Sequence, residues 1–99
     1  MAENPLATLQ ALDPLIVKHL RDSDALIYDS GALPKKFKLL IAMAFDAAHG
    51  AENGVRALAA AAMGEGATKQ EIAEALRVAY QLSGAGCLYT ASAGLKGLV

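Results

Sequence analysis

Few side chains in this sequence could move a proton or attack an electrophile, and they do not form one cluster. The histidines are His19 and His49, and the one cysteine is Cys87. His49 follows Asp46 by three residues, a spacing that lets an imidazole and a carboxylate meet on one helical face. The helix dipole alone also favours a histidine at a helix C-terminus. Glu52 and Asn53 come next, in what reads as the first turn of a new helix. Acidic and amide side chains stabilise such a turn without further purpose, while the free N–H groups there could instead hold a carboxylate. Tyr80 and Tyr89 stand nine residues apart, close to one face if their helix is unbroken. Their hydroxyls would need partners if buried. His49, Glu52, Tyr80 and Tyr89 are therefore the candidate acid–base groups.

The remaining candidates read more plainly. His19, among Lys18, Arg21 and Asp22, looks like a solvated surface residue. Two separated histidines without gathered carboxylates or cysteines give no metal-ligand spacing, so no metal is expected. Nothing calls for a cofactor. Cys87 lies in a run of small residues, SGAGCLYTAS, where a free cysteine behaves as a small buried hydrophobe. A reactive thiol would need a base or cation beside it, and the flanking residues supply neither. Lys35, Lys36 and Lys38 place three cations in a first helical turn, where the dipole disfavours them. They form a solvated face, or else a subunit contact or an anion site.

The chain that must position these groups has 99 residues, enough for one domain. Hydrophobic residues make up 55% and charged residues 19%, against roughly 45–50% and about 25% in ordinary domains. Alanine and leucine supply most of the surplus; aromatic content is 5%, with no tryptophan. A small domain with more apolar surface than its core can hide covers the rest by self-association, so a homo-oligomer is expected. The net charge of -1 argues against nucleic acid as a partner. A lone cysteine makes no internal disulfide and points to no oxidising compartment. The opening MAENPLATL has no basic region followed by a long apolar run, so no signal peptide is expected. Charges interrupt every apolar run short of a membrane span. The expectation is a cytoplasmic protein with neither membrane nor nucleic-acid partner.

The punctuation is helical throughout. Asn4-Pro5 and Asp13-Pro14 each pair a capping side chain with a proline suited to a first helical position. They predict a short helix over 5–12 and a second from Pro14 to about Leu26, with Leu15, Ile16, Leu20 and Ile27 near one face. Tyr28 to Leu33 reads as a loop. Leu33-Pro34 opens a long apolar helix that needs burial over most of its circumference and that Gly50 ends. Ala51 to Met63 is the next helix, broken by Gly64 and Gly66. Thr68 and Glu71 form a capping box for the last helical region. That region is helical on both sides of Ser83-Gly84-Ala85-Gly86, where the glycines allow a kink or a close helix approach. No strand-like alternation or internal repeat is present. The pattern predicts a single all-α domain of about five to six helices over 1–99.

From Leu33 to Tyr89, somewhat more than half the chain, the sequence resembles the carboxymuconolactone decarboxylase / AhpD-like (alkylhydroperoxidase) family. The resemblance rests on Leu-Pro followed by basic residues and an apolar helix (LPKKFKLLIAMAFDAAHG), then an alanine-rich helix, then Gly-Ala-Thr followed by Glu-Ile in GATKQEIAEALRVAY. It implies a compact helical fold that assembles into homo-trimers or homo-hexamers, with 1–30 as N-terminal helices and 33–99 as the family core. Family members include lactone decarboxylases and thiol peroxidases. In the peroxidases a Cys-x-x-Cys opens the helix before the Gly-Ala-Thr loop, a histidine follows four residues later, and a glutamate on the preceding helix completes a proton relay. Counted back from Gly66, these positions fall on Ala51, Gly54 and Leu58, with the glutamate on or next to Leu39. The departure removes nucleophile, resolving thiol and relay together, and a thiol peroxidase needs them.

Three readings follow. One is a cofactor-free, lyase-type family enzyme acting on a small organic molecule, acidic or apolar, through His49, Glu52, Tyr80 or Tyr89. Another is a non-catalytic ligand-binding or structural oligomer; for either, the resemblance puts the ligand pocket at Leu39, Ala51, Gly54 and Leu58. The last is residual peroxidase or oxidoreductase activity through Cys87.

Overall fold

Asp13-Pro14 starts a helix as its residue types require: the Asp13 carboxylate accepts from the Ile16 N–H at 3.2 Å. Asn4 behaves differently. Its Oδ1 accepts from the Leu6 N–H at 3.0 Å and its carbonyl from Ala7 at 3.1 Å, so it closes a turn and the helix begins two residues after Pro5. The structure, a computed structural model, describes residues 4–99. Its order is α1 (Ala7–Leu12), α2 (Pro14–Tyr28), α3 (Lys35–Ala48), α4 (Glu52–Gly64), α5 (Lys69–Ser83) and α6 (Gly86–Leu95). No strand occurs among the described residues. Tyr28, assigned to a loop by the turn residues after it, is the last residue of α2.

The lysines at the start of α3 each find a partner that offsets their place in the helix dipole. Lys35 pairs with Glu65 at 3.7 Å, and Lys36 with Glu71 at 3.0 Å. Lys38 donates to the Asp29 carbonyl at 2.6 Å. Two of these contacts tie the beginning of α3 to the end of α4 and the beginning of α5. The α3 N-terminus itself is capped from the loop, since Ser30 Oγ accepts from the Lys35 N–H at 3.0 Å.

The core lies among α3, α4, α5 and α6. Leu39, Leu40, Met43, Val55, Ile72 and Leu76 fill it, with Ala47, Ala59, Ala62, Ala79 and Ala91 where helices come close. This is where the alanine surplus goes. α6 comes against the backbone of α4 at Gly94, where a Cβ would stand 2.6 Å from the Glu52 carbonyl and 3.0 Å from Val55 Cβ. Arg56 reinforces the same contact by donating to the carbonyls of Gly94 and Lys96 at 3.2 and 2.6 Å. The Ser83–Gly86 glycines instead end a helix: Gly84 has φ +95° and is the C-terminal cap of α5. Tyr80 and Tyr89 therefore do not share one continuous helix. Only Val17 of α2 is fully buried. The Leu15, Ile16, Leu20 and Ile27 face is real, but it points away from the chain's own core and remains exposed.

Candidate functional site

α3 and α4 run antiparallel, so Lys35 and Leu39 on one helix face Glu65, Ala61 and Leu58 on the other. The end of α2 closes a third side with Asp24, Ala25, Tyr28 and Asp29. The result is a cleft of about 370 Å³. Its floor is apolar, with Leu39 buried and Leu58 half-buried. Its rim carries the Tyr28 hydroxyl, the Lys35–Glu65 pair, and the carboxylates of Asp24 and Asp29. Asp24, Asp29 and Glu65 against Lys35 and the neighbouring Lys38 leave the rim with one net negative charge. A free anion entering the cleft meets repulsion, and a neutral or cationic head group does not.

Leu39 and Leu58, the positions the resemblance gives to the relay glutamate and histidine, meet in this cleft. Ala51, the residue before α4, and Gly54, in its first turn, lie farther along the same helix. Gly54 has a visible reason to be glycine. The Asp46 carboxylate of α3 lies over it, and any Cβ at 54 would collide with that group. A carboxylate thus occupies the space beside the position assigned to the second thiol.

The chain matches the carboxymuconolactone decarboxylase family over residues 16–95. It belongs to that family. No curated protein and no solved structure matches the sequence. The family match begins at Ile16, inside α2, so the third wall of the cleft lies within the family's own extent. In this family member the acid–base candidates are scattered. His49 caps α3, where its Nδ1 stands 2.7 Å from the Phe45 carbonyl and its ring stacks on Phe45. That carbonyl also accepts from the His49 backbone N–H at 3.0 Å, and the contact with Asp46 that the spacing allowed is not made. Glu52 is exposed at the start of α4. Tyr80 on α5 is 43% exposed and Tyr89 on α6 is 79% exposed. None of the four lines the cleft. Cys87 is buried in the core, 2% exposed. Among the described residues, no three His, Cys, Asp or Glu side chains gather to hold a metal ion, and no helix is long and apolar enough to cross a membrane.

The polar rim escaped the sequence reading for definite reasons. Lys35 stood out only as a misplaced cation. Glu65 sits between two glycines that read as a helix break. Tyr28 was hidden in a presumed loop. Their conjunction depends on a contact between residues 35 and 65, which no local pattern encodes.

A second, larger concavity shares no residue with the cleft. It is a groove of about 710 Å³ between α3 and α5, walled by Phe37, Ile41, Phe45, Val78 and Leu82. Glu71 and Glu74 mark one end and Ser83 the other. Glu71 is the one group in either concavity whose titration is clearly displaced. The Thr68 backbone N–H, and then the Lys36 ammonium, hold its carboxyl below the usual glutamate range.

Proposed function

We propose that this family member binds a small organic molecule with an apolar body and an uncharged head in the α2–α3–α4 cleft. The observation that carries the reading is the pairing of an apolar floor, Leu39 and Leu58, with a rim of net negative charge. Family membership supports a small organic ligand. The charge of the rim narrows it from acidic or apolar to apolar. Tyr28 and Lys35 are the donors placed to orient the head group. The volume is near the lower end of the ~300–1,000 Å³ range of small-molecule sites. The reading needs no catalysis by His49, Glu52, Tyr80 or Tyr89, which share no cavity, and no redox chemistry by Cys87, which is buried.

Benzyl alcohol and benzoate make a matched pair of probes, since they share a ring and differ in head-group charge. In titrations followed by amide chemical shifts, benzyl alcohol is expected to perturb residues around Leu39, Leu58 and Ala61. Benzoate is expected to bind at least tenfold more weakly. Ala61→Phe, at the exposed lip of the cleft, should abolish the alcohol's effect without unfolding the core. Benzoate binding as tightly as the alcohol, or Ala61→Phe leaving the shifts unchanged, would sink the proposal.

A further inference from the structure

Two apolar faces of the chain stay uncovered, and they lie on opposite sides of α3. One is the outer arc of α2. The other is the α3–α5 groove. Leu39 faces α4 and the α2 side, while Ile41 faces the groove, about 160° away around α3. The groove sets its charge at one end. Lys36 pairs with Glu71 near the starts of both helices, so α3 and α5 lie side by side in one direction. Glu71 and Glu74 line the groove where the helices begin, and no charged residue lines it at Leu82 and Ser83. The acidic end already holds one ammonium. Lys36 Nζ stands 3.0 Å from the Glu71 carboxylate and 4.8 Å from the centre of the Phe37 ring, so a carboxylate and an aromatic ring receive the cation together. Glu74 follows Glu71 by three residues on the same face of α5. It enters no ion pair among the described residues, and its carboxylate accepts from Gln70 Nε2 at 3.4 Å. With Lys36 set against Glu71, one net negative charge remains at the head of an apolar trough.

We propose that the α3–α5 groove binds a single-chain aliphatic ammonium ion, with its head on Glu74 and its tail along Ile41, Val78, Phe45 and Leu82. Charge sets the direction. The ammonium meets Glu74 as Lys36 meets Glu71, and the tail runs toward the uncharged end. Length sets the tail. Glu74 to Leu82 spans eight residues, about 12 Å of helix. An extended chain of about ten carbons covers that distance at the ~1.2 Å per bond of an extended backbone. Volume fits as well, since about 710 Å³ falls within the ~300–1,000 Å³ of small-molecule sites. The walls that the tail would cover are open, with Phe45, Val78 and Leu82 62, 62 and 84% exposed. A fatty carboxylate of equal length has the same tail and the wrong charge, and Glu74 repels it. The groove shares no residue with the α2–α3–α4 cleft, so this site and the ligand of that cleft stand or fall separately.

The test titrates the full chain with decylammonium and with decanoate, each below the concentration at which it forms micelles, and follows amide chemical shifts. Decylammonium should perturb α5 from Glu74 to Leu82 and the facing part of α3 from Ile41 to Phe45. Decanoate should bind roughly threefold more weakly or worse. Glu74→Gln keeps the shape and removes the charge. It should lower decylammonium affinity about twofold to fivefold, the range of an exposed ion pair, and bring the two probes level. Val78→Lys, at an exposed position, places an ammonium four residues after Glu74, the order that favours pairing. It should abolish the decylammonium shifts while far-UV circular dichroism stays helical. Ala61→Phe, in the cleft, should change nothing. Equal affinity of the two probes for the parent chain would overturn the proposal, as would undiminished decylammonium binding by Glu74→Gln. Shifts confined to the cleft or to the outer arc of α2 would overturn it too. So would a groove that takes decylammonium only after dilution separates the chains, because its occupant would then be a second copy. If Val78→Lys unfolds, Glu74→Gln decides alone.

Discussion

The Glu71 carboxylate does two things at once. It accepts from the Thr68 N–H at 2.9 Å, completing the box whose other half is Thr68 Oγ1 accepting from the Glu71 N–H at 3.0 Å. It also pairs with Lys36 at 3.0 Å across the gap between α3 and α5. Folding therefore favours the charged carboxylate. The stabilisation is present in full above about pH 4.5, the ordinary glutamate value, and is lost as pH falls through the lowered value of the folded state. Glu71→Gln keeps an oxygen for the Thr68 N–H and removes the charge. Its melting midpoint should lie below the parent's at pH 7, and the gap should narrow as pH falls below about 4.5. A gap that stays constant as pH falls would show that the charge plays no part. The capping box was legible in the sequence because both partners lie within one turn. The Lys36 pairing was not, because its partner is thirty-five residues away. The same distinction explains His49. Its spacing to Asp46 permitted a contact, but the ring turns instead to the Phe45 carbonyl one turn back, which its own backbone N–H also reaches.

At the scale of elements, helix number and most helix ends followed from capping residues and glycines, since these are local backbone effects. What the sequence withheld is which face meets which neighbour. An amphipathic arc on α2 marks a face without saying whether the chain's own core covers it, and it does not. Likewise, the glycines at 84 and 86 drew attention to a possible close approach, whereas the close approach is made by Gly94, which no neighbouring residue marks. Gly54 and Gly94 now give a paired prediction. Both lie in helices, and alanine is intrinsically better there by about 1 kcal/mol. At Gly54 the obstacle is the Asp46 side chain, which can rotate away. At Gly94 it is the Glu52 carbonyl, 2.6 Å from where the methyl would stand, with Val55 behind it. Gly54→Ala should therefore stay within about 1 kcal/mol of the parent, while Gly94→Ala should cost about 1–3 kcal/mol as an overpacked contact. Chemical denaturation measures both. Equal effects would mean that α4 and α6 can separate freely, contrary to the packing described.

At the scale of the whole molecule, the apolar surplus was visible in the composition, but its division into two faces on opposite sides of α3 was not. α2 is fastened to its own chain chiefly through Val17, 1% exposed, and half-buried Tyr28, yet it supplies one wall of the cleft. A second copy that covered the outer arc of α2 would also hold that wall in place. Stability should then depend on protein concentration, because association removes folded monomer from the unfolding equilibrium. A tenfold increase contributes about 1.4 kcal/mol per association step, and each kcal/mol is worth roughly 4–8 °C in midpoint for a domain of this size. The parent chain should melt several degrees higher at the greater concentration. Leu20→Asp, which spoils the outer arc of α2, should melt lower and at one temperature whatever its concentration. Ala61→Phe, which alters the cleft and leaves that arc intact, should keep the parent's concentration dependence. A parent midpoint that does not move with concentration would separate α2 from any neighbour and leave its exposed leucines and isoleucines without a partner.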